Sequence, residues 1–384
     1  MDFYKYFIIY IFKAKTRQRL LFIAVIGLFI SSFSLVVLQG IMGGLQNGLI
    51  SRSKEVLGVA YVDMPKFDKE ISLQIINELK ALKIKFYPEY EIELMVKKGN
   101  RVSPAILHGI DYSFGIPPFL KDKDTNAIVI GSDLSTNING YYDSKISFIS
   151  PAHVDILFGD IPRQVSESIS DFFMSELVEI DSLHVWSRIS LVQNLIRSRD
   201  INKIVFYTNN SFETALPILK KYNGVTIVKW EDINKSLVWA LALETNVMLF
   251  LFVGMSFLVA ICITSGFMIF FDKIKTDLIS FWVLGKSKAS IFRMSYVLTH
   301  IISLIFCSSG LIVGILFLLL LKSNDINFMP DFFVERRIPV KIDSFKIIIS
   351  FIVPYFIAVI FSYFSFVSFK KESSNFLKLI KSIG

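Results

Sequence analysis

Four stretches of this chain, residues 20–46, 241–271, 291–321 and 345–369, are each long and apolar enough to cross a lipid bilayer, which takes about 20 mostly apolar residues. That one feature removes most folds at once. One span leads, a polar block of nearly two hundred residues follows, and three spans close the chain. Composition agrees, with 53% hydrophobic residues, only 19% charged and 37 phenylalanines among 384 residues. The first span is too long for a cleaved signal and lacks a small-residue cleavage site after its apolar core, so it is expected to stay as a helix.

The net charge of +8 would suit nucleic acid if it formed a patch, but its placement follows the spans. Lys5, Lys13, Lys15, Arg17 and Arg19 precede the first span; Lys273, Lys275, Lys286, Lys288 and Arg293 fall between the second and third; Lys370, Lys371, Lys378 and Lys381 follow the fourth. Short basic segments stay on the cytoplasmic side, so these three are expected inside, and the charge-balanced loop 322–344 and the block 51–238 outside. No nucleic-acid partner is implied. The expected layout is an interfacial segment at 1–19, a first span at 20–50, the extracytoplasmic domain at 51–238, and a second span at 239–271. A cytoplasmic connection at 272–290, a third span at 291–321, the outer loop at 322–344, a fourth span at 345–369 and a cytoplasmic tail at 370–384 complete it. Gly40 and Gly44 form a G-x-x-x-G step in the first span, spacing that lets helix backbones approach closely. Before it, "DFYKYFIIYIFKAK" mixes aromatics with lysines, as a helix on the inner surface would.

The ends of the polar block read as two β-α-β halves. The first joins "EVLGVAYVDM", a helix over "KEISLQIINELKALK" and the alternating strand "EYEIELMVKKGN"; the second joins "NKIVFYTNN", a helix capped by Ser211 and "GVTIVKW". Between them, short β signals such as "AIVIGSDL", "KISFISP", "VDILFGDIP" and "HVWSRISL" predict a mostly β insertion. The fold class is therefore an α-helical membrane protein of four spans, one plus three, with a large extracytoplasmic α/β domain. His108, His153, His184 and His300 have no metal-ligand spacing, Cys262 and Cys307 both lie in apolar runs, and no G-x-S-x-G or H-E-x-x-H grouping is legible. No metal site and no catalysis are expected; the block reads as a binding and transmission module.

One stretch, "SFWVLGKSKASIF" (280–292), ends its first half like a phosphate-binding loop, G-x-x-x-x-G-K-[ST]. Gly285, Lys286 and Ser287 fit, but Ser280 stands where the first glycine belongs. Such a loop must also follow a buried strand, and this stretch lies between two spans.

The whole layout resembles the lipoprotein-releasing permeases of the LolC/LolE type, within the MacB/FtsX-like permease class. The resemblance rests on "AIVIGSDLSTNINGYYDSKISFISP", with Gly131, Asp133, Leu134, Gly140, Asp143 and Pro151; on "GDIPRQ"; on Val178, Glu179, Ile180 and Asp181; and on "WEDINKSLVWALALETNVM", with Trp230, Glu244, Asn246 and Met248. It implies that the connection "TSGFMIFFDKIKTDLISFWVLGKSKASIFRM" is a coupling helix docking on a separate LolD-like ATPase subunit. Asp277, Leu278, Phe281, Trp282, Leu284, Gly285, Lys286 and Lys288 would form it, with Leu278, Phe281, Trp282 and Leu284 as an apolar ridge. ATP and Mg would then belong to that partner, this subunit binding no cofactor itself. The resemblance further implies a second permease subunit, identical or related, a triacylated lipoprotein substrate, a periplasmic carrier, and residence in the bacterial inner membrane. Gly40, Gly44, Glu244, Asn246 and Met248 would sit at the substrate and helix interface. The alternative is an FtsX-like mechanotransmitter regulating a cell-wall hydrolase; a MacB-like efflux subunit would carry its own ATPase domain, and none lies in these residues.

Overall fold

The computed structural model describes residues 19–64, 69–155, 161–222, 224–273, 275–323 and 339–372. The interfacial segment expected before residue 19, most of the loop expected at 322–344, and the last part of the tail lie outside them. Two compact units divide the chain: Gly48–Trp239, and Met1–Asn47 together with Ala240–Gly384.

In chain order the elements are α1 (Arg19–Leu57), β1 (Ala60–Asp63), α2 (Lys69–Ala81), β2 (Tyr87–Lys98), β3 (Arg101–Ile110), β4 (Ile128–Gly131), α3 (Ser132–Asn137), β5 (Lys145–Asp155) and β6 (Ile161–Phe173). There follow α4 (Val178–Asp181), β7 (His184–Arg188), α5 (Ile189–Ile196), β8 (Lys203–Phe206), α6 (Asn209–Leu219), β9 (Thr226–Lys229), α7 (Trp230–Ile233), α8 (Lys235–Lys273), α9 (Lys275–Val283), α10 (Lys288–Ser323) and α11 (Ser344–Glu372).

The polar unit is built on one long strand. At its start, Tyr87–Glu89 of β2 pair antiparallel with β8, which pairs antiparallel with β1, which pairs antiparallel with β9. The order β2-β8-β1-β9, with α2 and α6 as crossovers, is a ferredoxin-like split β-α-β arrangement. The two expected β-α-β halves are thus interleaved in one sheet. Its core is Val62, Ile75, Leu79, Ile204, Phe206 and Ala215, sheet residues packed on the apolar faces of the two helices. Further along, β2 alternates cleanly: Ile92, Leu94 and Val96 are buried, Glu93, Met95 and Lys97 exposed. Those inward residues belong to the insertion, where the pairings β2-β3-β7-β4-β6-β5 and back to β2 close a ring of six strands among the described residues. Closure leaves no free edge, and Leu107, Ile130, Phe148 and Val185 fill the interior beside Val192 of α5.

Two local expectations are corrected. Thr208, in extended backbone, holds the N-cap position of the helix 209–219, and Ser211 lies inside its first turn, where its hydroxyl accepts from Thr208 Oγ1 at 2.8 Å. The start of "EVLGVAYVDM" belongs to α1 through Leu57, and the strand begins only at Ala60, after Gly58 at φ +84°.

Among the described residues, four helices are long and apolar enough to cross a membrane: Ile26–Leu57, Lys235–Gly266, Ala289–Ser323 and Ser344–Phe364. In this unit α1 touches each of the other three. A Cβ on Gly310 would lie 2.3 Å from the Phe29 carbonyl oxygen, and one on Gly40 2.5 Å from Leu318, so α1 and α10 meet through glycines. Ser31 and Ser256 hydroxyls are 3.2 Å apart across α1 and α8, and Ser32 Oγ donates to the Ser350 carbonyl of α11 at 3.4 Å.

Candidate functional site

Helices α1, α8 and α11 enclose a cavity of about 230 Å³. Its wall is mainly apolar, with Leu38 and Met42 from α1, Met248, Leu249 and Phe252 from α8, and Phe345 and Ile349 from α11. Gln39, Gln46, Thr245, Asn246 and Lys346 add polar groups. Gln46 organises that polar part: its Nε2 donates to Glu244 Oε2 at 3.1 Å, to Thr245 Oγ1 at 3.2 Å and to the Leu241 carbonyl at 3.3 Å. A side-chain amide bound this way joins two helices in a setting where unpaired polar groups are costly.

Of the residues expected at a substrate and helix interface, Asn246 and Met248 line this cavity, and Glu244 meets it through Gln46. Gly40 and Gly44 do not line it. Gly40 faces Leu318, and a Cβ on Gly44 would meet the Pro339 carbonyl oxygen at 1.9 Å, so both serve close approach within the chain itself. Gln46, Lys346 and Phe345 were not singled out in the sequence. Gln46 ends the first apolar run three residues after Gly43, and only the helix register places it beside Glu244.

The expected coupling residues fall on α9 and the turn after it, except Lys288, which opens α10. Gly285 N–H donates to the Trp282 carbonyl at 3.0 Å and Lys286 N–H to the Phe281 carbonyl at 3.2 Å, with Gly285 at φ +92°. This is a Schellman ending, which needs a left-handed residue where glycine carries no steric cost. Ser287 then accepts from Ser290 N–H at 3.2 Å and caps α10. The Gly-Lys-Ser run therefore closes one helix and opens the next, and no strand precedes it. Phe281 and Trp282 are half-buried, Ile279 is buried, and Val283 and Leu284 are 70% and 80% exposed. Lys286 Nζ stands 5.8 Å from the Phe281 ring centre. The side chains of Asp277, Leu278 and Lys288 lie outside the described ones.

The polar unit holds a buried ionic cluster that sequence spacing did not reveal. Glu91 and His108 are direct cross-strand partners on β2 and β3, Glu89 is two residues along the same face, and His184 and Lys203 come from β7 and β8. His108 Nε2 and His184 Nδ1 are 2.8 Å apart, and Lys203 Nζ donates to Glu91 Oε2 at 2.5 Å. Burial works against a proton on His108, but the Glu89 charge and hydrogen bond, with Glu91, outweigh it and raise its pKa. Burial, with the charges of His108 and Lys203, lowers His184 to about 3. The alternation of "EYEIEL" was the available signal, since it puts Glu89 and Glu91 on one face; nothing in the spacing shows which histidine pairs opposite.

The motif residues Val178, Glu179, Ile180 and Asp181 form α4, where Asp181 accepts from Ser175 N–H at 2.8 Å, Ser175 Oγ at 2.8 Å and Glu176 N–H at 3.0 Å. Trp230 is buried, and its indole N–H donates to Ser53 Oγ at 2.8 Å.

Fold and cavity together define an integral membrane protein with one spanning helix before, and three after, a large domain that joins a ferredoxin-like sheet to a closed strand ring. No family model matches the chain, and neither does any curated protein. Among solved structures it is similar to the extracellular domain of a noncanonic ABC-type transporter, YknZ, from Gram-positive bacteria, with a TM-score of 0.29 and 11% sequence identity over 44% of this chain and 99% of that one. Superposition at that level carries no weight for function, which rests on the residues themselves.

Proposed function

We propose that this chain is the permease subunit of an ABC transporter that extracts lipoproteins from the bacterial inner membrane, powered by a separate ATPase subunit. The observation that carries the reading is the cavity among α1, α8 and α11: apolar along its wall, polar where Gln46 gathers Glu244 and Thr245. Removing an acyl chain from the bilayer costs about 0.8 kcal/mol per CH₂. A transporter for triacylated substrates therefore needs sheltered apolar surface among its spans as well as an energy source. The short helix α9, with Val283 and Leu284 exposed beside its glycine turn, supports docking on a cytoplasmic ATPase. The G-x-x-x-G step packs within this chain, so a second permease subunit would meet other surfaces.

The test places a photo-crosslinking residue at Met248 in the cavity and, as a control, at Ile312 on α10, which is 56% exposed. In inner-membrane vesicles carrying a radiolabelled lipoprotein and the separate ATPase subunit, Met248 should capture lipoprotein, Ile312 should not, and ATP turnover should empty the Met248 site. Equal capture at both positions, indifferent to nucleotide, would overturn the reading. Activation of a cell-wall hydrolase without lipoprotein capture would favour mechanotransmission instead.

A further inference from the structure

The buried cluster of the polar unit has a geometry that hydrogen bonding alone explains poorly. Glu89 is 4% exposed, and the hydrogen bond its carboxylate makes among the described residues is to His108 Nδ1 at 3.4 Å. Glu91 Oε2 stands 3.6 Å from the same nitrogen. Charge-assisted N–H···O bonds are shorter, near 2.8 Å, so His108 is held loosely by both acids. The spacing fits something else. Two ligands of a tetrahedral zinc ion, each bonded at about 2.0 to 2.1 Å, lie about 3.3 Å apart. One donor atom each from Glu89, Glu91 and His108 lies within 4.8 Å of the others.

We propose that Glu89, Glu91 and His108 form a binding site for a divalent zinc-like cation, with the fourth position left to water. The surroundings are those of a ligand set. A metal-bound histidine ordinarily donates its other ring N–H to a fixed partner, which sets its tautomer. Here His108 turns Nδ1 to the two carboxylates and Nε2 to His184 Nδ1 at 2.8 Å. Glu91 keeps 26% of its side chain exposed, which provides a path for the ion, whereas Glu89 and His108 are shut in. Lys203 is the competing charge. It holds Glu91 at 2.5 Å, so zinc shares that carboxylate with an ammonium, and affinity is set by how far Lys203 withdraws. The ion would pin β2 to β3 at the strand where the ferredoxin-like sheet meets the ring, a structural role independent of the transport reading.

The experiment uses the full chain in detergent micelles, with zinc chloride as the only added metal in the retention measurement. After dialysis, the wild type should retain one equivalent of zinc by elemental analysis. His108→Gln and Glu89→Gln should bind at least about tenfold more weakly, while His153→Gln and His300→Gln should be unchanged. Because the first two substitutions alter a buried cluster, Lys203→Met provides the independent arm, since removing the competing cation should tighten zinc binding. Cobalt in place of zinc should give the visible absorption of a tetrahedral site in the wild type. Failure of the wild type to retain zinc, retention indifferent to His108→Gln and Glu89→Gln, or a Lys203→Met variant that binds no more tightly would each overturn the proposal.

Discussion

The two units of this chain are held together by different means, and the contrast follows from their solvents. In the polar unit the largest buried side chains are Trp186, Trp230, Phe148 and Phe206, each nearly inaccessible, and the aromatic set of Trp186, Phe119 and Phe173 packs with ring centres 5.0 to 5.4 Å apart. Water drives that burial. In the membrane unit many bulky residues point outward, with Phe250 76%, Leu258 62% and Leu320 57% exposed, while Ser32, Ser295 and Ser350 are fully buried alongside aliphatic residues such as Leu35, Leu298 and Leu318. Lipid tails are as apolar as leucine, so burying leucine between helices gains little; close backbone approach and hydroxyl bonds hold the helices instead. Size at a buried position therefore weighs differently in the two units: large aromatic side chains carry the polar unit, whereas in the membrane unit glycines and serines set how closely the helices approach.

The strongest way to break this comparison is at Trp186. Trp186→Ala removes a side chain 1% exposed from the aromatic set, and truncations of that kind cost about 3 to 5 kcal/mol. Pulse proteolysis in urea should show the polar unit of the variant cleaved at markedly lower denaturant. A shift worth less than about 1 kcal/mol would mean that the ring is not stabilised by its buried aromatics. A smaller effect of opposite logic is expected at Gly310. Gly310→Leu adds a side chain whose Cβ would lie 2.3 Å from the Phe29 carbonyl oxygen, and overpacking costs about 1 to 3 kcal/mol. Gly254→Leu in α8, where a Cβ meets nothing within 4 Å, is the matched control. Size-exclusion profiles in a mild detergent should show Gly310→Leu losing folded protein and Gly254→Leu keeping it. Equal behaviour of the two would remove the claim that close approach holds these helices.

The membrane unit was legible from hydropathy because its defining property, a long apolar run, is local in sequence. The polar unit was legible only in part. Its helices and the alternation of β2 show in the residues, yet the interleaving of β1 between β8 and β9, and the closing of the ring by β3 against β7, join residues such as Ile106 and His184 that are far apart in the chain. Pairing of that kind leaves no periodic trace. The same holds for function. Glu244, Asn246 and Met248 were named because one segment carries the resemblance, whereas Gln46 and the partners of His108 depend on register between elements. Gly40 and Gly44 face Leu318 and the Pro339 carbonyl, but whether such glycines meet a neighbour in the same chain or another subunit is not written in a G-x-x-x-G spacing.

The smallest effect is expected at Gly285, which belongs to neither packing regime. Its surroundings are open, with nothing within 4 Å of where a Cβ would stand, so a substitution there meets no clash. What it meets is its own backbone. At φ +92° an alanine is strained by about 1 kcal/mol, because the side chain crowds its own carbonyl in the left-handed region. Gly285→Ala should therefore loosen the end of α9 while leaving the global unfolding of both units close to the wild type. Hydrogen exchange should be faster at the amides of Gly285 and Lys286, whose bonds to the Trp282 and Phe281 carbonyls close that turn, and unchanged in the ring strands. The same residues give the reading against which this one is measured. If Gly285, Lys286 and Ser287 cradled phosphate, the chain alone would bind ATP, and Lys286→Ala would abolish that binding because the lysine's charge is what reaches the phosphates. As a helix ending, the turn should bind no nucleotide, and Lys286→Ala should do little beyond removing an exposed charge near the Phe281 ring. ATP held by the isolated chain and lost in Lys286→Ala would refute the helix-ending reading, whereas faster exchange confined to the turn would tie the glycine to the end of α9.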